Sequence, residues 1–242
     1  MIQRPIRTLL GLAAAGMLMT AGTASANLLV NPGFESPAIV FPGPPEYFGA
    51  PGWTDFGGGT FTIDAVVFGP AGPHSGTQGL KMFGGCCSGV FQQFAASAGQ
   101  TWDGGAWVLN DSADPMAGGQ VAAVNIEWLD AGFNQISFIS NGTFTASSAL
   151  NAWSLQTISG VAPVGTAWAR LVLITGDFLP GGAGGAPRYD DAFMDIRPVP
   201  VPAAVWLFGS GLGLIGLGTA PEYVGGVGHE LEVAGVAFHA DA

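Results

Sequence analysis

Between residues 27 and 197 the chain alternates apolar and polar positions with a period of two in run after run, the pattern of strands with one buried face. In Val124-Asn125-Ile126-Glu127-Trp128 the apolar side chains share a face, with Asn125 and Glu127 opposite. Over 166–175, Trp168, Val172 and Ile174 fall on one side with Arg170, while Ala169, Leu171 and Leu173 take the other. That split predicts a strand buried on both faces near a sandwich centre. Further strands are predicted at 28–30, 61–68, 79–83, 90–95, 104–110, 135–140, 153–159 and 189–196, separated by Gly-, Pro- and Asp-rich turns. Short strands at this spacing predict an all-β sandwich or barrel domain over 27–197.

Both ends break the pattern. Residues 1–26 read as a secretory signal helix: Arg4 and Arg7, a short apolar run over 9–19, then Ala24-Ser25-Ala26 as a small-x-small cleavage site. At the other end Val199-Pro200-Val201-Pro202 stops any strand, and 18 uncharged residues run from Ala203 to Ala220, at the lower limit for a membrane-spanning helix. Trp206 near the start of that run suits an interfacial anchor.

Residues Val199, Pro200, Val201, Pro202, Ala203, Ala204 and Trp206, continuing through Leu207-Phe208-Gly209-Ser210-Gly211-Leu212, resemble the PEP-CTERM sorting signal of exported Gram-negative proteins in its Val-Pro-x-Pro-Ala form. The resemblance implies transit through the inner membrane and processing by an exosortase-type membrane enzyme, with a final place at the cell surface or outside the cell. The family's signal ends in a basic cluster. Here no Lys or Arg follows Gly218, and the stretch 219–242 carries Glu222, Glu230, Glu232 and Asp241 instead. The organisation read from the sequence is therefore a signal over 1–26, a sandwich over 27–197, a Pro motif and apolar helix over 198–218, and an atypical tail over 219–242. Either a shifted reading frame or a divergent tail accounts for the last.

Composition narrows the function. Of 242 residues 40 are Gly and 17 Pro, about twice the usual share, and only 10% are charged. So much Gly and Pro argues against a helical bundle, and the 48% hydrophobic content argues against a disordered chain. A net charge of −11 with no basic stripe excludes nucleic acid as a natural partner.

Several short pieces share a second resemblance. Asn31-Pro32-Gly33-Phe34-Glu35 opens the domain, Pro51-Gly52-Trp53 and His74-Ser75-Gly76 follow, and Tyr189-Asp190-Asp191-Ala192-Phe193 closes it. Together these are similar to the galactose-binding-like jelly roll of carbohydrate-binding modules. The resemblance implies a jelly-roll β-sandwich and a structural Ca²⁺ held by Glu35 and Asp191, with Asp190 as a further ligand, since Ca²⁺ takes carboxylate and carbonyl oxygens. The alternative is that Glu35 caps a turn while Asp190 and Asp191 face solvent.

Cys86 and Cys87 are adjacent and are the only cysteines. In an oxidising compartment they form a vicinal disulfide, bond to other chains, or stay reduced. For sugar stacking the candidates are Trp107 with Asn110 and Asp111, and Tyr47 with Phe48 in the Pro-rich loop. Trp128 and Trp168 are assigned to the core, as are Trp53 and Trp153, and Arg170 to a structural role with a ligand contact as the alternative. His74, His229 and His239 have no metal-ligand spacing, and no Gly-x-Ser-x-Gly elbow occurs. The expectation is a non-enzymatic, exported envelope or biofilm-matrix protein whose jelly roll associates with extracellular polysaccharide. A structural matrix protein without a small ligand is the alternative, and a polysaccharide-active glycosidase or lyase the more distant one.

Overall fold

The protein is described here by a computed structural model covering residues 27–40, 46–83 and 86–198. The chain divides into two compact units, Met1–Val199 and Pro200–Ala242. The expected leader, the Pro motif, the apolar segment and the tail lie outside the described residues. Among the described residues no helix is long and apolar enough to cross a membrane.

The strands are β1 (Glu46–Phe48), β2 (Thr54–Phe56), β3 (Thr60–Asp64), β4 (Gln78–Met82), β5 (Cys86–Ala95), β6 (Thr101–Leu109), β7 (Ala117–Gly118), β8 (Gln120–Leu129), β9 (Gln135–Thr145), β10 (Ser154–Val161), β11 (Trp168–Asp177), β12 (Ala183–Gly184) and β13 (Arg188–Ile196). Six of them form one sheet in the order β1-β3-β4-β13-β6-β10, and five form the other in the order β2-β5-β11-β8-β9. Strands β7 and β12 make a small ribbon of their own. The chain switches sheets at most connections and every paired strand is antiparallel, a jelly-roll-like sandwich as expected.

The predicted strands at 79–83, 90–95, 104–110, 135–140, 153–159 and 189–196 all appear, most of them longer than the sequence pattern indicated. Two predictions are corrected. Residues 28–30 are not a strand, because the side chain of Asn27, bonded to Ala192 O and Met194 N–H, takes up much of the hydrogen bonding of β13 there. The run 61–68 is a strand only to Asp64, whose carboxylate then accepts from Val66 N–H and starts a 3₁₀ turn, Ala65–Val67.

The main core lies between the sheets. Phe34, Leu80, Met82, Trp102 and Val108 meet Val90, Val124, Ile126, Leu171 and Leu173, all fully buried. Gly104 of β6 is required by this packing, since a Cβ there would sit 2.8 Å from Cδ1 of Leu171 across the core. A second, smaller cluster of Ile63, Phe68 and Leu109 covers the other face of the six-stranded sheet beneath the 3₁₀ turn. Among the described residues the outward face of the five-stranded sheet has no such buried cluster of its own.

Candidate ligand-binding groove

Strand alternation sends Ala169, Leu171 and Leu173 of β11 into the core and leaves Trp168, Arg170, Val172 and Ile174 on the outward face, the division read from the sequence. Register carries those outward positions across the sheet. Gln93 of β5, Arg170 of β11, Glu127 of β8 and Phe138 of β9 form one row, and Phe91, Val172, Asn125 and Ser140 form the next.

The guanidinium of Arg170 lies over the Phe91 ring, 4.1 Å from its centroid. Its Nη2 donates to Gln93 Oε1 at 3.1 Å and its Nη1 to Glu127 Oε2 at 3.4 Å. The two charged side chains keep 21% and 17% of their surface open, so they lie on the groove floor within reach of a ligand. Burial pushes the Glu127 carboxyl above its ordinary value, against the charge and hydrogen bond of Arg170, which pull it down. Among the described residues two buried polar atoms in these rows, Arg170 Nε and Asn125 Oδ1, have no partner. Leaving such an atom unpaired costs about 1–3 kcal/mol.

Three depressions run together along these rows. One of about 640 Å³ is lined by Thr54, Phe91, Gln93, Phe133 and Arg170. The next, about 380 Å³, shares Phe91 and Arg170 and adds Phe56 and Glu127. The last, about 430 Å³, shares Glu127 and Gln135 and ends against Phe138, Phe178 and Leu179. Phe133, Phe138 and Phe178 are exposed. At the far end Gly176 makes room for Phe178, because a Cβ there would meet that ring at 2.9 Å and Cys87 Sγ at 3.3 Å. Cys87 is disulfide-bonded, so a disulfide borders this end of the groove; the side chain of Cys86 lies outside the described residues.

The expected sugar-stacking residues are elsewhere. Trp107 and Tyr47 belong to the six-stranded sheet, Tyr47 on its edge strand. Trp107 lies under the ring of His74, with centroids 4.0 Å apart. Asn110 is fully buried and structural: its amide donates to Ala146 O and Ser148 O and accepts from Met116 N–H. Trp128 and Trp53 are core residues as assigned, and Trp153 is half-buried. The assignment of Trp168 to the core is corrected, because it sits half-buried on the outward face with Phe133 stacked on it at 5.2 Å. For Arg170 the guanidinium opens onto the groove, where the geometry allows a ligand contact, the alternative to its structural role. Sequence reasoning missed Phe91, Asn125, Glu127 and Phe138. One signal was available: in a chain with 6 basic residues, Arg170 and Glu127 both interrupt long apolar strands.

The carboxylates expected to hold Ca²⁺ do converge. A Cβ on Gly33 would lie 3.2 Å from Asp191 Oδ1 and 3.7 Å from Asp190 Oδ1, with Glu35 Cγ at 3.9 Å. Their oxygens, however, already face donors. Glu35 accepts from the N–H of Thr77 and Gln78 and from Thr77 Oγ1. Asp190 accepts from the N–H of His74, Ser75 and Asp191. Asp191 meets His74 Nδ1 at 2.6 Å and Ser75 Oγ at 2.8 Å. Burial, reinforced by the charge of Asp191, pushes Asp190 up to about 7 despite its N–H donors. Among the described residues no three His, Cys, Asp or Glu side chains are arranged to hold a metal ion. So placed, the set forms a hydrogen-bonded clasp that ties the opening segment and the 74–78 stretch to β13. Chelator and added calcium are each expected to leave Tm unchanged; a rise with calcium would show the carboxylates repacking around the ion.

No family model matches the chain and no curated protein matches it. Among solved structures it is similar to the enzymatically active domain of tailspike protein 4 from bacteriophage CBA120, at 14% identity and TM-score 0.42, over 60% of this chain and 19% of that one. It is also similar to TmCBM61 in complex with β-1,4-galactotriose, at 19% identity and TM-score 0.45, over 72% of this chain and 100% of that one. A third is the CBM22-1 xylan-binding domain of Xyn10C from Paenibacillus barcinonensis, at 12% identity and TM-score 0.43, over 61% and 86% of the two chains. The chain thus spans less than a fifth of the tailspike domain.

Proposed function

We propose that the sandwich binds extracellular polysaccharide along the groove of the five-stranded sheet and does not cleave it. The observation that carries this is the row Gln93–Arg170–Glu127, with its guanidinium stacked on Phe91 and exposed Phe138 beside it. Sugars offer hydroxyls to such a row and apolar ring faces to such aromatics. Most glycosidases use two carboxyl groups flanking the bond, and among the described residues Glu127 is the one carboxylate lining the three depressions.

The sorting motif at Val199–Trp206, outside the described residues, supports the rest of the reading. The protein is exported, passes the inner membrane, is handled by an exosortase-type enzyme, and works at the cell surface or in the matrix around the cell. Calorimetric titration with extracellular polysaccharides tests the binding. Phe138→Ser is expected to weaken it about tenfold, the effect of roughly 1.4 kcal/mol of lost stacking, with Tm unchanged because that ring is 54% exposed. A protein that binds no polysaccharide in such a panel would instead be a structural matrix component.

A further inference from the structure

We infer that the groove selects neutral glycans over uronate-containing ones, with Arg170 and Glu127 acting together as the reader of two neighbouring sugar hydroxyls. This rests on the groove being the polysaccharide site. The two side chains are directly opposite one another on adjacent strands and present a donor and an acceptor side by side. The contact at 3.4 Å is long, and it engages one carboxylate oxygen, Oε2, of Glu127. A guanidinium has five N–H donors, and the recorded bonds of Arg170 use two of them. One sugar hydroxyl can therefore accept from Arg170 while its neighbour donates to Glu127. An ionised uronate carboxylate has no proton to donate and meets Glu127 as a like charge.

Charge elsewhere on the groove points the same way. Among the described residues Arg170 is the one basic residue lining the three depressions, and Glu127 already matches its charge. The other polar residues lining them, Thr54, Gln92, Gln93, Asn125, Gln135 and Ser140, are neutral. A chain of net charge −11 offers an anionic polymer no long-range attraction to offset the local repulsion.

The test compares galactan and xylan with polygalacturonate and alginate, using wild type and Glu127→Gln. The wild type is expected to bind a neutral polymer and to show at least tenfold weaker affinity for the uronates. Glu127→Gln removes the repulsion and leaves Arg170 as an unopposed cation. It is expected to lose severalfold in affinity for the neutral polymer and to gain uronate binding that falls as salt rises. Wild type binding the uronates as well as the neutral polymers, or a neutral-to-uronate ratio unmoved by the substitution, overturns the selectivity while leaving the groove as a binding site. Binding to none of the four polymers removes both.

Discussion

Arg188→Ala is expected to lower Tm by about 10 °C, more than any single change on the groove. Arg188 and Asp111 form an ion pair at 3.0 Å with side-chain exposures of 1% and 0%. Arg188 also donates to Val67 O and lies over the Phe68 ring, while Asp111 accepts from Gly69 N–H and Ala113 N–H. The pair therefore fastens the 65–72 stretch, and the small core of Ile63, Phe68 and Leu109 beneath it, to the end of β6. Removing one partner of a buried pair typically costs about 3–5 kcal/mol, and each 1 kcal/mol is worth roughly 2–4 °C in a domain of this size. The double variant Arg188→Met/Asp111→Asn takes away both charges and is expected to recover part of the loss. A double variant no more stable than the single one would mean the guanidinium acts by packing on Phe68 rather than by charge.

The same pair sets a pH dependence. Burial alone would raise the Asp111 carboxyl; the N–H groups of Ala113 and Gly69 together with Arg188 outweigh it and hold the group below its ordinary value. A carboxyl lowered in the folded state contributes stability that is present above its unfolded value, about 4, and is lost as pH falls through the folded one. Acid should therefore destabilise wild type through this group. Arg188→Ala has already lost one of the lowering influences, so the gap in Tm between the two proteins is expected to narrow below about pH 4.

What could be read from the sequence, and what could not, follows from where periodicity is informative. The interior strands β8 and β11 appear with the face assignments their alternation predicts, because a strand buried against a core has its side chains sorted by burial. The edge strands β1 and β2 went unread, since Glu46-Tyr47-Phe48 and Thr54-Asp55-Phe56 are too short to show a period and bury little. The groove was hidden for a related reason. Its outward face is half-apolar, so Val172 and Ile174 read as a second buried face, and Trp168 was placed in the core with them. Nothing in the spacing tells a face covered by protein from one left open to a ligand. Trp107 was equally ambiguous in reverse: a candidate platform by type, it is covered by His74, a residue more than thirty positions away that folding alone brings onto it.

Arg170 carries the largest expected effect on binding. Arg170→Ala is expected to weaken polysaccharide binding by roughly 10–100-fold, the loss of charge-assisted hydrogen bonds worth about 1.5–3 kcal/mol. Arg170→Lys keeps the charge and gives up both the planar fork and the stack on Phe91, so it is expected to restore little of that loss. If lysine restored full affinity, a bare positive charge would suffice and the geometry of the row would be irrelevant. Stability separates this site from the buried pair. Arg170 and Glu127 remain partly open to water, where Arg188 and Asp111 are sealed, so Arg170→Ala is expected to move Tm by only a few degrees. It also removes the one group that holds the Glu127 carboxyl down, leaving burial to raise it further. A large loss of binding with a small loss of stability is the signature of a residue kept for its ligand, and the reverse pattern is what Arg188 is expected to show.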